Sequence, residues 1–250
     1  MQNALFQYLL RLGDTNLVLG HRLSEMCSRA PILEEDIALT NFALDHIGQA
    51  EALLKYAGEV EGRGRTEDDL AYLRAEFDFR NYLLAEMPNT DFAYVLTRQY
   101  FIDTWQCLLY GALQKSSDPV LAGMGARFLK EATYHHRHSA GWMERLGRGT
   151  GESQARLSQA WQDLWPYTGE FFETDATETT LAGAGTVPLS ASLQTAWLAE
   201  ITRMAAQSGI ALPASDYVAT GGRVGIHTEH LGHLLAEMQY LSRAYPGANW

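Results

Sequence analysis

The stretch Lys130-Glu131-Ala132-Thr133-Tyr134-His135-His136-Arg137-His138 contains residue types that hold iron. Carboxylate-bridged di-iron bundles take one glutamate from each of two helices and a Glu-x-x-His pair from each of the other two, all projecting inward. Here the residue three after Glu131 is Tyr134, and His135 comes one position late. A second set, Asp45-x-x-Gly48, carries glycine where the imidazole should stand, and Asp103 is a candidate lone carboxylate. Glycine cannot ligate, and a phenol is not an imidazole. One residue of slip turns a helical side chain by about 100°, which aims His135 away from a metal shared with Glu131, and His46 away from one shared with Asp45. On this register Asp45, Gly48, Asp103, Glu131, Tyr134 and His135 are the positions of a degenerate site. The chain is expected to hold no metal or cofactor and no catalytic residue.

Further polar residues share these helices: Asn41 and Gln49 with Asp45, Gln99 and Gln106 with Asp103, and His138 with His135. The first helix offers Asp14, Asn16 and His21, and its one glutamate, Glu25, lies near its end. Spacings of three and four residues put each set on one side of a helix. Burying carboxylates is costly without a metal, a cation or hydrogen bonds, so the sets need either a metal or an internal network of Asp, Gln, Tyr and His.

The segment TGGRVGIHTEHLGHLLAEMQYL holds His227, Glu229, His230 and His233. Its HTEH is not the HExxH of a zinc helix, so a metal reading and an ordinary one both stand. Gly221, Gly222 and Gly225, with Arg223, form either an anion-binding helix start or a glycine-rich turn. No GxSxG, P-loop or dinucleotide fingerprint is present.

The elements that must position these residues are helical. The periodicity predicts long helices over about 4–28, 33–58, 91–114 and 119–147, a shorter one at 67–86, and further helices at 153–173, 190–208 and 226–244, with 174–189 irregular. Asp118-Pro119 is a capped helix start, and Glu34, Glu35 and Asp36 suit the positive end of a helix. Four long helices in two hairpins with a long second connection predict an all-α, ferritin-like four-helix bundle with additional C-terminal helices, in one domain over 1–250.

Composition narrows the function classes. Of 250 residues 46% are hydrophobic, and the net charge is −11. Nucleic acid and anionic membranes call for a basic footprint, so neither is an expected partner. No apolar run approaches the ~18 residues of a membrane span, and the N-terminus lacks a basic, apolar leader, which points to the cytoplasm. Cys27 and Cys107 are expected to be buried free thiols.

The stretches RLGD at 11–14, LDHIGQA at 44–50, RQYFIDTWQ at 98–106, KEATYHHR at 130–137, GWMERLG at 141–147, TGGRVGIHTEHLGHLLAEMQYL at 220–241 and the ending PGANW together resemble the C subunits of bacterial phenylacetyl-CoA epoxidases (ring 1,2-epoxidases). The resemblance covers essentially the whole chain. It implies a ferritin-like fold and a noncatalytic structural partner of a catalytic A subunit. The A subunit activates O₂ at a di-iron centre to epoxidise the aromatic ring, and a flavin and iron–sulfur reductase supplies electrons from NADPH. Phe92, Tyr94, Trp105, Trp142, Trp161 and Trp165 are candidate docking aromatics. Two alternatives stay open: an active di-iron oxygenase or oxidase with an altered ligand set, and a stand-alone helical binding protein.

Overall fold

A computed structural model describes residues 1–248; Asn249 and Trp250, the last two residues of the PGANW ending, lie outside the described residues. The helices are α1 (Gln2–Ser24), α2 (Leu33–Glu61), α3 (Glu67–Tyr72), α4 (Leu83–Glu86), α5 (Phe92–Leu113), α6 (Pro119–Gly147), α7 (Gly151–Leu164), α8 (Ala176–Gly183), α9 (Gln194–Ser208), α10 (Glu229–Met238) and α11 (Tyr240–Ala244). The described residues contain no strand, so the class is all-α as read. No helix among them is long and apolar enough to cross a membrane.

The helix starts follow local chemistry. The Asp118 carboxylate accepts from the Val120 and Leu121 amides at 2.9 and 3.1 Å, with Pro119 in the first turn of α6. Asp91 caps α5 through the Tyr94 amide at 2.9 Å. Gly62, at φ +69°, closes α2 in the left-handed conformation that other residues rarely adopt.

Two compact units emerge: residues 1–88 with 220–250, and residues 89–219. In the first, α1 and α2 form a hairpin whose close approaches are made by glycine. A Cβ on Gly13 would press on Leu54, and one on Gly20 on Ile47. The partners run backwards along α2 as α1 advances, so the pair is antiparallel. In the second unit α5 and α6 form an equivalent hairpin: Thr97 lies against Met143, and Tyr110 packs edge-on against Phe128 at 5.4 Å. Around α5, Phe101 meets Trp161 and Trp197 at centroid distances of 5.2 and 5.8 Å, and Trp105 stacks on Phe171 at 4.8 Å. These rings make an aromatic core.

Three expectations need correction. The segment 67–86 is not one helix: α3, a 3-10 turn at Glu76–Asp78 and α4 are separated by extended backbone. Arg74 draws that chain inward, its Nη1 donating to the Asp78 carbonyl at 2.8 Å and its guanidinium pairing with buried Asp14. Residues 174–189 hold α8, capped by Asp175 on the Glu178 amide at 2.9 Å. The thiols are free but not both deeply buried: Cys27 is exposed in the turn after α1, and Cys107 is half-buried.

The segment after Thr220 returns to the first unit. The backbone of Gly222 lies so close to the Asn81 carbonyl that a Cβ would collide with it. Gly222→Ala is therefore expected to cost about 1–3 kcal/mol of stability, as overpacked sites do. Urea unfolding of the variant measures it, and an unchanged midpoint would refute the close approach.

Candidate functional site

In the second unit, Gln99, Asp103 and Gln106 of α5 and His135 and Ser139 of α6 are all fully buried. Gln99 Nε2 donates to Asp103 Oδ1 at 2.6 Å, and Ser139 Oγ donates to Asp103 Oδ2 at 2.8 Å. Burial pushes the Asp103 carboxyl up to about 7; the nearby His135 and the two hydrogen bonds pull the other way and only partly offset it.

The buried stripe of α6 runs Leu121, Gly125, Phe128, Ala132, His135, Ser139, Met143, which is a helical period of three and four. It corrects the register read from Glu131-x-x-Tyr134. Tyr134 is 52% exposed beneath the Arg137 guanidinium. Glu131 lies toward the surface, paired with Arg127 at 3.2 Å. His135 faces inward, and the residue three before it is Ala132.

The first unit carries the same pattern. On α2 the buried residues include Phe42, Ala43, His46, Gln49 and Ala50, while Asp45 and Gly48 are half-buried. His46 Nδ1–H donates to the Asn16 side-chain oxygen at 2.8 Å, and Asn16 Nδ2 donates to the Leu12 carbonyl at 2.9 Å. Here too the residue three before the inward histidine is an alanine, Ala43. Asp14, the other candidate of α1, is held by Arg74 and by the Arg80 amide at 2.8 Å.

The ligand positions can thus be assigned from burial. His46 and His135 are both fully buried. Three residues before these histidines stand Ala43 and Ala132. The single-carboxylate helices offer Asn16 and Asp103. A methyl group has no lone pair, so neither Ala43 nor Ala132 can supply a ligand.

The C-terminal histidines do not converge as a zinc helix. His227 directs Nδ1 at Glu86 Oε1 (2.6 Å) and Nε2 at the Phe79 carbonyl (3.1 Å), while His233 is exposed. Burial alone would lower the His227 pKa; the Glu86 hydrogen bond and charge, with the Phe79 carbonyl, outweigh it and hold the value above the usual 6.5. Glu86 is fully buried and also accepts from Asn81 Nδ2 at 3.0 Å and from the Thr228 amide and hydroxyl at 2.9 and 2.7 Å. Sequence reasoning did not find this cluster. Gly221, Gly222 and Gly225 serve the backbone turn that delivers His227: Gly221 and Gly225 hold positive φ, and Gly222 meets Asn81.

The docking aromatics fare similarly. Trp105, Trp161 and Tyr94 are buried, and Phe92, Trp142 and Trp165 are only partly exposed, Phe92 packing edge-on against Trp142 at 5.0 Å. Tyr94, Trp105 and Trp161 are core residues.

The chain is 47% identical over 248 residues, 99% of its length and 100% of the relative's, to the C subunit of the 1,2-phenylacetyl-CoA epoxidase of Escherichia coli (strain K12). Residues 1–250 match the family described as phenylacetic acid catabolic protein. Two hairpins of long helices, inward imidazoles at matching places and this full-length similarity lead to one conclusion: the chain belongs to the phenylacetic acid catabolic protein family and has its ferritin-like helical fold.

Proposed function

We propose that this chain is the structural, noncatalytic C subunit of a 1,2-phenylacetyl-CoA epoxidase. It holds a catalytic di-iron subunit in shape during aerobic phenylacetate degradation in the cytoplasm, within an assembly that includes the reductase. One observation carries the reading: Ala43 and Ala132 stand three residues before the inward histidines, where bridging carboxylates belong. The bundle is thereby kept while its oxygen chemistry is left to the partner, which is expected to hold the iron. The polar residues that remain serve one another, as the Asp103–Ser139 and His46–Asn16 hydrogen bonds illustrate.

A second reading, an active di-iron oxygenase with altered ligands, draws support from the two inward imidazoles and Asp103. Iron analysis separates them. Produced with excess iron, the chain alone is expected to carry substoichiometric iron and no O₂-dependent turnover. Both should appear when the catalytic partner is added. Stoichiometric iron in the isolated chain, lost on His135→Ala, would establish the second reading.

A further inference from the structure

In the first unit, α10 and α11 lie against residues 71–76. Gln239 Nε2 donates to the Ala71 and Arg74 carbonyls, both at 3.1 Å, and Arg243 Nη2 donates to the Arg74 carbonyl at 2.7 Å. The backing of this face is therefore fixed, yet its outer surface is apolar. Leu73, Phe77, Tyr240, Leu241 and Tyr245 are each more than half exposed. Single exposed apolar residues are ordinary; a contiguous set is a mark of an interaction surface.

The surface is also concave. One groove of about 580 Å³ runs between Tyr72, Leu73, Leu241 and Tyr245, with Asp68 and Asp69 in its wall. Another of about 580 Å³ lies beside Tyr240 and Leu235, with Glu76 in its wall. Among the described residues, Arg243 is the one cation lining either groove, and its guanidinium is engaged by backbone carbonyls. The charge these grooves present outward is acidic. A second copy of a chain of net charge −11 would bring like charges onto this rim, which complementary interfaces avoid.

Resting on the structural-partner reading, we propose that this face seats a segment of the catalytic subunit that presents apolar side chains next to lysine or arginine. The apolar groups fill the two grooves beside α11, and the cations meet Asp68 and Glu76. A second exposed apolar stripe of the unit, Leu33, Ile37 and Leu44 on α2, lines neither groove. It serves as the control surface.

The experiment measures binding of the purified catalytic partner to this chain at low and high salt. Leu241→Arg should weaken binding at least about tenfold, as loss of a central anchor does. Asp68→Lys should weaken it severalfold and flatten its salt dependence. Leu44→Arg should bind like the wild type. Circular dichroism and thermal melting confirm that each variant is folded, and Asp68, being exposed, provides a test even if Leu241→Arg is unstable. Wild-type affinity in both groove variants overturns the docking face and leaves the structural-partner reading standing. So does a loss confined to Leu44→Arg, or a homodimer that Leu241→Arg dissolves. No association of the wild-type chain with the catalytic partner overturns both.

Discussion

Glu86→Ala is expected to lower the unfolding free energy by about 3–5 kcal/mol, the range seen when one partner of a buried ion pair is removed. Both carboxylate oxygens of Glu86 are saturated: Oε1 by His227 and Asn81, Oε2 by the Thr228 amide and hydroxyl. The two side chains are 0% and 1% exposed. A carbonyl only accepts, so the Phe79 contact makes His227 Nε2 a donor, and the carboxylate requires the same of Nδ1. Both ring nitrogens thus face acceptors, which favours the imidazolium. Truncating Glu86 leaves that cation and the other donors in a site closed to water. The pH dependence has a definite sign. The folded-state pKa of His227 is raised, so its stabilisation is complete below the ordinary value of 6.5 and is lost as pH rises through the raised one. Guanidinium unfolding of wild type and His227→Gln across this range should show an advantage for wild type that shrinks with rising pH. An advantage that grows, or a Glu86→Ala midpoint close to wild type, would sink this account.

The second large effect concerns Asp103, with the opposite consequence for substitution. Its folded value of about 7 lies above its ordinary 3.8. A carboxyl raised on folding binds its proton more tightly in the folded state. Its contribution is full below 3.8 and declines as pH rises to about 7, by about 4 kcal/mol at one pKa unit per 1.36 kcal/mol. Asp103→Asn keeps the shape and a hydrogen-bonding amide but removes the titration. The variant is expected to be more stable than wild type at pH 8 and to lose that advantage toward pH 4. Denaturation midpoints at the two pH values decide it: a difference between variant and wild type that does not change with pH would refute the raised carboxyl.

Much of the fold was legible because helix chemistry is local. Asp118-Pro119, Asp91 and the acids of residues 34–36 announce their helix starts from one turn of sequence. The ligand register was misread for an instructive reason. Anchoring on Glu131 gave weight to a residue that pairs with Arg127 one turn back on the same helix. The apolar period Phe128, Ala132, Met143 would have set the inward face and placed His135 on it. On α2, the run Phe42, Ala43, Leu53 does the same for His46. The Glu86–His227 pair was invisible, since its members are 141 residues apart and Glu86 lies in no recognisable motif. Residues 67–86 failed as a helix because tertiary hydrogen bonds of Arg74 override local propensity there.

The first unit is assembled from the two ends of the polypeptide, 1–88 and 220–250, with the second unit interposed. During synthesis at about 5–20 residues per second, Thr228, 142 positions after Glu86, follows it by roughly 7–28 s. Over that interval the early hairpin stands with an acidic pocket and the backbone beside Asn81 open to the surrounding solution. The later unit is continuous in sequence and can be complete first. The order of maturation is then inverted relative to the order of translation: the earliest helices reach their final state last, when the tail closes over them.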